Sequence, residues 1–119
     1  FRPFGPSMLE EYAGDYLIGA YSSPFMLLNF DVPERKRREI PSVVHVDGTT
    51  RPQTVNKDVN PRYWNLIREF GRITGVPLVL NTSFNVRGEP LIATPYDAIK
   101  AFYSTGLDYL VLDNLLVRK

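Results

Sequence analysis

Leu78-Val-Leu-Asn-Thr-Ser-Phe-Asn-Val-Arg-Gly-Glu-Pro90 changes character within one residue. Leu78 to Leu80 is a short apolar run behind Pro77, the pattern of a buried strand. Asn81, Thr82, Ser83, Asn85 and Arg87 then bring amide, hydroxyl and guanidinium groups to its end, and Gly88 and Pro90 force a turn. Open α/β sheets bind ligands at the carboxyl ends of strands. This inventory is mostly neutral donors with one fixed cation, which suits a phosphate or a carbonyl-rich ligand. The alternative is a polar turn that satisfies its own backbone.

The 119 residues suffice for one domain and are too few for two. Hydrophobic residues make up 44%, enough for a core and against disorder. A net charge of +1 makes nucleic acid an unexpected partner, because general electrostatic binding needs a larger basic excess. With no cysteine there is neither a disulfide nor a thiolate metal site, and one histidine, His45, cannot build a histidine-rich one. No apolar run approaches the roughly 20 residues of a membrane span. The opening residues lack a charged and then apolar leader, so a cytoplasmic location is expected. The absence of a starting Met suggests a piece of a longer protein.

Around the central stretch, helices and strands alternate. Residues 1–6 read as extended, by their prolines. Ser7 and Glu10 form a capping-box pattern ahead of a short helix through Leu9, Tyr12 and Ala13, stopped by Gly14. Tyr16 to Tyr21 reads as irregular. Phe25 to Phe30 reads as a buried strand, and Glu34 to Glu39 as a solvated loop or helical turn. Val43 to Gly48 reads as a strand entering a turn at Asp47-Gly48, with Thr49 to Val55 returning. Asn60-Pro61 starts a helix that places Tyr63, Leu66, Ile67, Phe70 and Ile73 on one face, with Trp64 beside it, and ends at Gly75. Leu91 to Ala93 reads as a short strand, Thr94-Pro-Tyr-Asp97 as another helix start, with Gly106 as its stop, and 109–112 and 115–117 as closing strands around Asp113-Asn114.

Three segments carry a family resemblance: Phe1-Arg-Pro-Phe-Gly-Pro-Ser-Met-Leu-Glu-Glu11, His45-Val-Asp-Gly-Thr-Thr-Arg-Pro-Gln-Thr-Val55 and Asn81-Thr-Ser-Phe-Asn-Val-Arg-Gly-Glu-Pro90. Together with Thr105-Gly-Leu-Asp108 they resemble, in order and spacing, the carboxy-terminal domain of the carbamoyltransferases, which include nodulation-factor enzymes and enzymes that decorate antibiotics such as tobramycin and cephamycin. Nodulation enzymes are the nearer likeness. The resemblance implies an α/β fold of the YrdC/Sua5 kind, a twisted mixed sheet with flanking helices and a concave cationic cavity. It implies binding of carbamoyl phosphate and ATP, with Mg2+, and formation of carbamoyl-adenylate. An amino-terminal Kae1-like domain, absent from this chain, would then move the carbamoyl group to a hydroxyl acceptor with the help of a metal such as iron.

By the same resemblance Arg51 is a phosphate ligand, Asn81 and Ser83 contact carbamoyl phosphate and nucleotide, and Asn85 and Arg87 lie in the matched motif. Arg51, Asn81 and Ser83 are the catalytic candidates, and His45 and Glu89 are supporting groups behind them. Fixed arginine forks and neutral donors stabilise charge on non-bridging oxygens, so no nucleophile is required. One departure stands out. The family's domain begins earlier, with a Gly-Pro-Arg-Ala-Leu-Gly type segment and a lysine. The chain is therefore expected to be truncated on its amino-terminal side and to turn over little alone. A sheet cut short leaves an edge open to a second copy, which makes a homodimer an expectation. Two other readings stand beside the enzyme: a non-catalytic RNA- or nucleotide-binding module using Arg35 to Arg38 with Arg51 and Arg87, and a domain-docking element with exposed aromatics near Tyr16, Tyr21 and Phe25.

Overall fold

The computed structural model describes residues 3–119, so the part of the opening extended segment on Phe1 and Arg2 lies outside the described residues. The chain forms two compact units, one ending at Thr82 and one spanning Ser83–Lys119. Small sheets alternate with helices, an α/β arrangement that includes a mixed sheet.

In the first unit the central strand is β1, Gly5–Leu9, buried along its whole length. It runs parallel to β4, Gln53–Val55, with Ser7 opposite Gln53 and Leu9 opposite Val55. It runs antiparallel to β5, Leu78–Asn81, with Gly5 opposite Asn81 and Met8 opposite Leu78. The capping box expected at Ser7 is therefore not formed. The backbone of Ser7 belongs to the sheet, and helical geometry begins only at Glu10, in a 3-10 turn to Tyr12 followed by α1, Ala13–Tyr16. Gly14 lies inside α1 and does not end it.

Alternation along the strands divides the core in two. One face carries Leu9 and Val55, packed with Trp64 and Ile67 of α3, Pro61–Thr74. The other carries Met8 and Leu78, packed with Ala13, Tyr16, Leu17, Phe30, Val32, Ile40 and Val43. Each large apolar side chain so buried contributes about 1.5–3 kcal/mol. The start of α3 is as read: Asn60 Oδ1 accepts from the Tyr63 N–H at 3.3 Å, and Pro61 follows. Gly75 closes it at φ +80°, a conformation that costs glycine nothing. The buried face is rotated from the expected stripe. Trp64 and Ile67 point inward, whereas Leu66, Phe70 and Ile73 are exposed. Gly71 explains the rotation, since a Cβ there would stand 3.0 Å from Pro77, so the helix presses its glycine side against the sheet.

Two other expectations change. Phe25 to Asn29 is a turn followed by irregular chain rather than a buried strand: Phe25 is 76% exposed and Met26 sits at φ +55°. Only β2, Phe30–Asp31, pairs, and it pairs with β3, Thr49–Thr50. Val43 to Val46 is likewise no strand. Pro41–Val43 is a 3-10 turn and Val46 is fully exposed. The Asp47-Gly48 turn does form, with the Gly48 N–H donating to the His45 carbonyl at 2.9 Å. Glu34–Arg37 is a short exposed helical turn, α2, and Lys36 pairs with Glu39 at 2.8 Å.

The second unit packs α4, Pro95–Ser104, on a hairpin of β6, Tyr109–Leu112, and β7, Leu115–Arg118. Ala98, Phe102 and Leu110 form its core. Thr94 caps α4, accepting from the Asp97 N–H at 3.2 Å, and the helix closes at Ser104, short of Gly106. Leu91 to Ala93 pairs with no strand; the Ile92 N–H donates to the Phe84 carbonyl at 3.1 Å. Among the described residues no helix is long and apolar enough to cross a membrane.

Candidate functional site

The start of β1 organises the polar groups of the first unit. A Cβ built on Gly5 would lie 2.2 Å from the Arg51 carbonyl oxygen and 2.8 Å from the Met26 side chain. Only a glycine lets that backbone come so close. Arg51, between β3 and Pro52, thus passes beside Gly5, while Asn81 is Gly5's register partner on β5. The two residues flank one glycine from opposite sides.

Arg51 is half-buried. Its Nη1 donates to the Met26 carbonyl at 3.2 Å, and no described carboxylate forms an ion pair with it. The tether leaves the rest of the guanidinium fork available to an anion.

Asn81 is half-buried and joins a network across all three strands. Its Nδ2 donates to Ser7 Oγ at 2.8 Å and to Gln53 Oε1 at 3.0 Å. Ser7 Oγ in turn donates to Gln53 Oε1 at 2.8 Å, and Gln53 Nε2 donates to the Pro24 carbonyl at 3.2 Å. Gln53 and Pro24 also line a cleft of about 520 Å³ together with Glu10, Ser22, Phe25 and Asn56. Ser7 was read from the sequence only as a helix cap, and Gln53 was not singled out. Gln53 shares its strand face with Val55, and no local signal marked it.

Ser83, Asn85 and Arg87 belong to the second unit. Residues 86–89 form a turn in which the Glu89 N–H donates to the Val86 carbonyl at 3.0 Å and Gly88 stands at φ +88°. Asn85 braces it, Nδ2 donating to the Glu89 carbonyl at 2.9 Å. Ser83 and Arg87 are exposed, Arg87 at the second position of the turn.

His45 sits in a relay. The Asp47 carboxylate accepts from the Thr49 N–H at 3.0 Å and from its hydroxyl at 2.7 Å, and those two bonds hold its pKa below the ordinary value. Thr49 Oγ1 also lies 3.1 Å from His45 Nδ1. His45 Nε2 is buried and without a partner among the described residues. Among the described residues, no three histidine or carboxylate groups gather around a metal position.

Comparison with known proteins places this geometry in a family. The family model described as "Carbamoyltransferase C-terminus" matches residues 1–119. Nodulation protein NolNO of Sinorhizobium fredii is 44% identical over 122 residues, covering all of this chain and 18% of that protein. Nodulation protein NolO of Bradyrhizobium diazoefficiens is 44% identical over 122 residues, covering all of this chain and 22% of that protein. An uncharacterised protein of Methanocaldococcus jannaschii is 47% identical over 119 residues, covering all of this chain and 23% of that protein. The chain therefore spans about a fifth of the length of these relatives. With its whole length matched, the chain belongs to the carbamoyltransferase C-terminus family.

Proposed function

We propose that this chain is the ligand-binding part of a carbamoyltransferase, a YrdC-like domain that takes carbamoyl phosphate and ATP and contributes to making carbamoyl-adenylate. A separate Kae1-like domain of the longer protein then delivers the carbamoyl group to a hydroxyl acceptor. The observation that carries this reading is the pair flanking Gly5: a half-buried arginine with no carboxylate partner among the described residues on one side, a half-buried asparagine on the other. A partly desolvated guanidinium without a counter-charge favours an incoming anion, and a phosphate fits its fork. ATP enters as co-substrate, and Mg2+ enters with it, held largely by the phosphates themselves.

In this reading Arg51 and Arg87 hold phosphate oxygens, and Ser83 and Asn81 orient the reacting group. Asn85 fixes the turn that carries Arg87. The chemistry asked of these residues is positioning and charge stabilisation.

Replacing Arg51 by Ala in the full-length enzyme tests it. Carbamoyl-phosphate-dependent ATP–pyrophosphate exchange should fall by about 100-fold or more, the usual effect of losing one charge-stabilising donor. Stability should fall by only about 1 kcal/mol, because one hydrogen bond, to Met26, is lost. Undiminished exchange would rule out the assignment, and a collapse of the fold would make the arginine structural.

A further inference from the structure

Which end of the Asn81 amide meets a ligand follows from the hydrogen bonds behind it. The Pro24 carbonyl can only accept, so the group facing it at 3.2 Å must be the amide nitrogen of Gln53. That carbonyl is held by its neighbour: the Ser23 N–H donates to Thr54 Oγ1 at 2.8 Å, and the Thr54 N–H donates to the Ser23 carbonyl at 3.0 Å. Gln53 Oε1 is therefore turned toward β1 and β5, where it accepts from Ser7 Oγ at 2.8 Å and from Asn81 Nδ2 at 3.0 Å. Having given its proton to Gln53, the Ser7 oxygen can only accept, and it too accepts from Asn81 Nδ2, at 2.8 Å. A reversed Asn81 amide would set two acceptor oxygens against each other. Ser7 has no exposed surface, so water cannot stand in as a partner for its hydroxyl. One backbone carbonyl thus sets the direction of the whole network. The nitrogen edge of Asn81 is engaged with the sheet, and no described residue donates to its Oδ1.

We infer that Ser7 and Gln53 are positioning residues that present Asn81 to its ligand as an acceptor. The ligand group it takes is then an N–H donor, the amino group of a carbamoyl unit, and not a phosphate oxygen. This deepens the functional reading above and rests on it. A phosphate at neutral pH has no N–H to offer and would be repelled by Oδ1. The cation for the phosphate is Arg51, across Gly5. The two flanks of that glycine divide the two ends of one small ligand between them.

Acetyl phosphate carries a methyl group where carbamoyl phosphate carries the amino group, so the pair isolates this contact. Affinities of the full-length enzyme for both, and for ATP, would be measured by titration calorimetry in wild type, Gln53→Leu, Gln53→Glu and Asn81→Ala. Wild type should prefer carbamoyl phosphate by about tenfold or more, because an acceptor left unpaired is costly. Gln53→Leu should bring the ratio close to one with ATP affinity unchanged. Gln53→Glu keeps an acceptor for Ser7 and Asn81 but opposes a carboxylate oxygen to the Pro24 carbonyl and adds a charge that weakens both phosphates alike, so the ratio should stay above that of Gln53→Leu while both affinities fall. Asn81→Ala should abolish it without disturbing the buried members, which keeps the test decisive if Gln53→Leu fails to fold. A wild-type ratio near one, or an undiminished ratio in folded Gln53→Leu or Asn81→Ala, overturns the inference. No binding of carbamoyl phosphate by wild type instead removes the functional reading beneath it.

Discussion

Gly5→Ala tests whether the close approach of β1 and Arg51 holds the site together. The added methyl would sit 2.2 Å from the Arg51 carbonyl oxygen, 3.2 Å from its carbonyl carbon and 2.8 Å from Met26 Cε. Real Cβ atoms essentially never come within 3.0 Å, so the two backbones must part by about 0.8 Å. Met26 can swing away, but the carbonyl belongs to the backbone between β3 and β4 and cannot. Overpacking costs about 1–3 kcal/mol, and an opposing backbone atom puts this case at the upper end, about 3 kcal/mol. Urea denaturation of wild type, Gly5→Ala, Met26→Ala and the double variant would measure it. Met26→Ala should rescue little of the loss, since the first clash remains. In the full-length enzyme the same separation displaces Arg51 relative to Asn81, and a misplacement of that size costs about 100-fold in activity. A Gly5→Ala variant within about 0.5 kcal/mol of wild type, or one fully rescued by Met26→Ala, would refute the reasoning.

Two further predictions concern what holds the first unit together. The Glu39 carboxyl is held below its ordinary pKa first by the Lys36 ammonium, at 2.8 Å, and next by the Tyr16 hydroxyl, whose own pKa burial and Glu39 push above the ordinary phenol range. A depressed carboxyl contributes stability that is fully present above the unfolded-state value of about 4.3 and lost as pH falls through the folded value. Wild type should exceed Glu39→Gln in urea midpoint at pH 6, with the gap closing toward pH 2.5; an equal gap at both would contradict it. Trp64 Nε1 donates to both Glu11 carboxylate oxygens, at 3.0 and 3.2 Å, over an otherwise buried ring. A double-mutant cycle of Trp64→Phe and Glu11→Ala should return a coupling of about 1 kcal/mol, and additive losses would show the bond adds nothing.

Both ends of α3 and the start of α4 were legible in the sequence because their chemistry is local. Asn60 and Pro61, Gly75, Thr94 and Asp97 each act within a turn of where they stand. The buried face of α3 was not, because Gly71 offers no hydrophobicity and its use depends on Pro77 approaching it. The run from Phe25 to Phe30 looked like core because hydrophobic content alone does not say that Met26 adopts φ +55° and opens the turn outward. Asn81 stood out as a polar group at a strand end, and Arg51 only through the family resemblance. Ser7 and Gln53 did not, because they are 46 residues apart and lie 74 and 28 residues from Asn81, and only the register of β4, β1 and β5 brings them together.

The misreading of β1 points to where the chain places function above strand formation. Gly, Pro and Ser are three poor strand formers in succession, and Pro6 argues against a central strand on general grounds. Each departs from the rule at the end of the strand that Arg51 and Asn81 flank. Gly5 admits the Arg51 carbonyl, and Ser7 passes the hydrogen-bond direction from Gln53 to Asn81. Met8 and Leu9, the next two residues, are fully or almost fully buried and anchor the two opposite faces of the core. The strand is buried throughout but divided in composition: its second half supplies the large apolar side chains that anchor it in the core, and its first half carries small or polar residues whose geometry matters. Under the proposed function, local rules broken together at one place, with the compensating packing next door, mark the end of β1 where geometry outranks strand propensity.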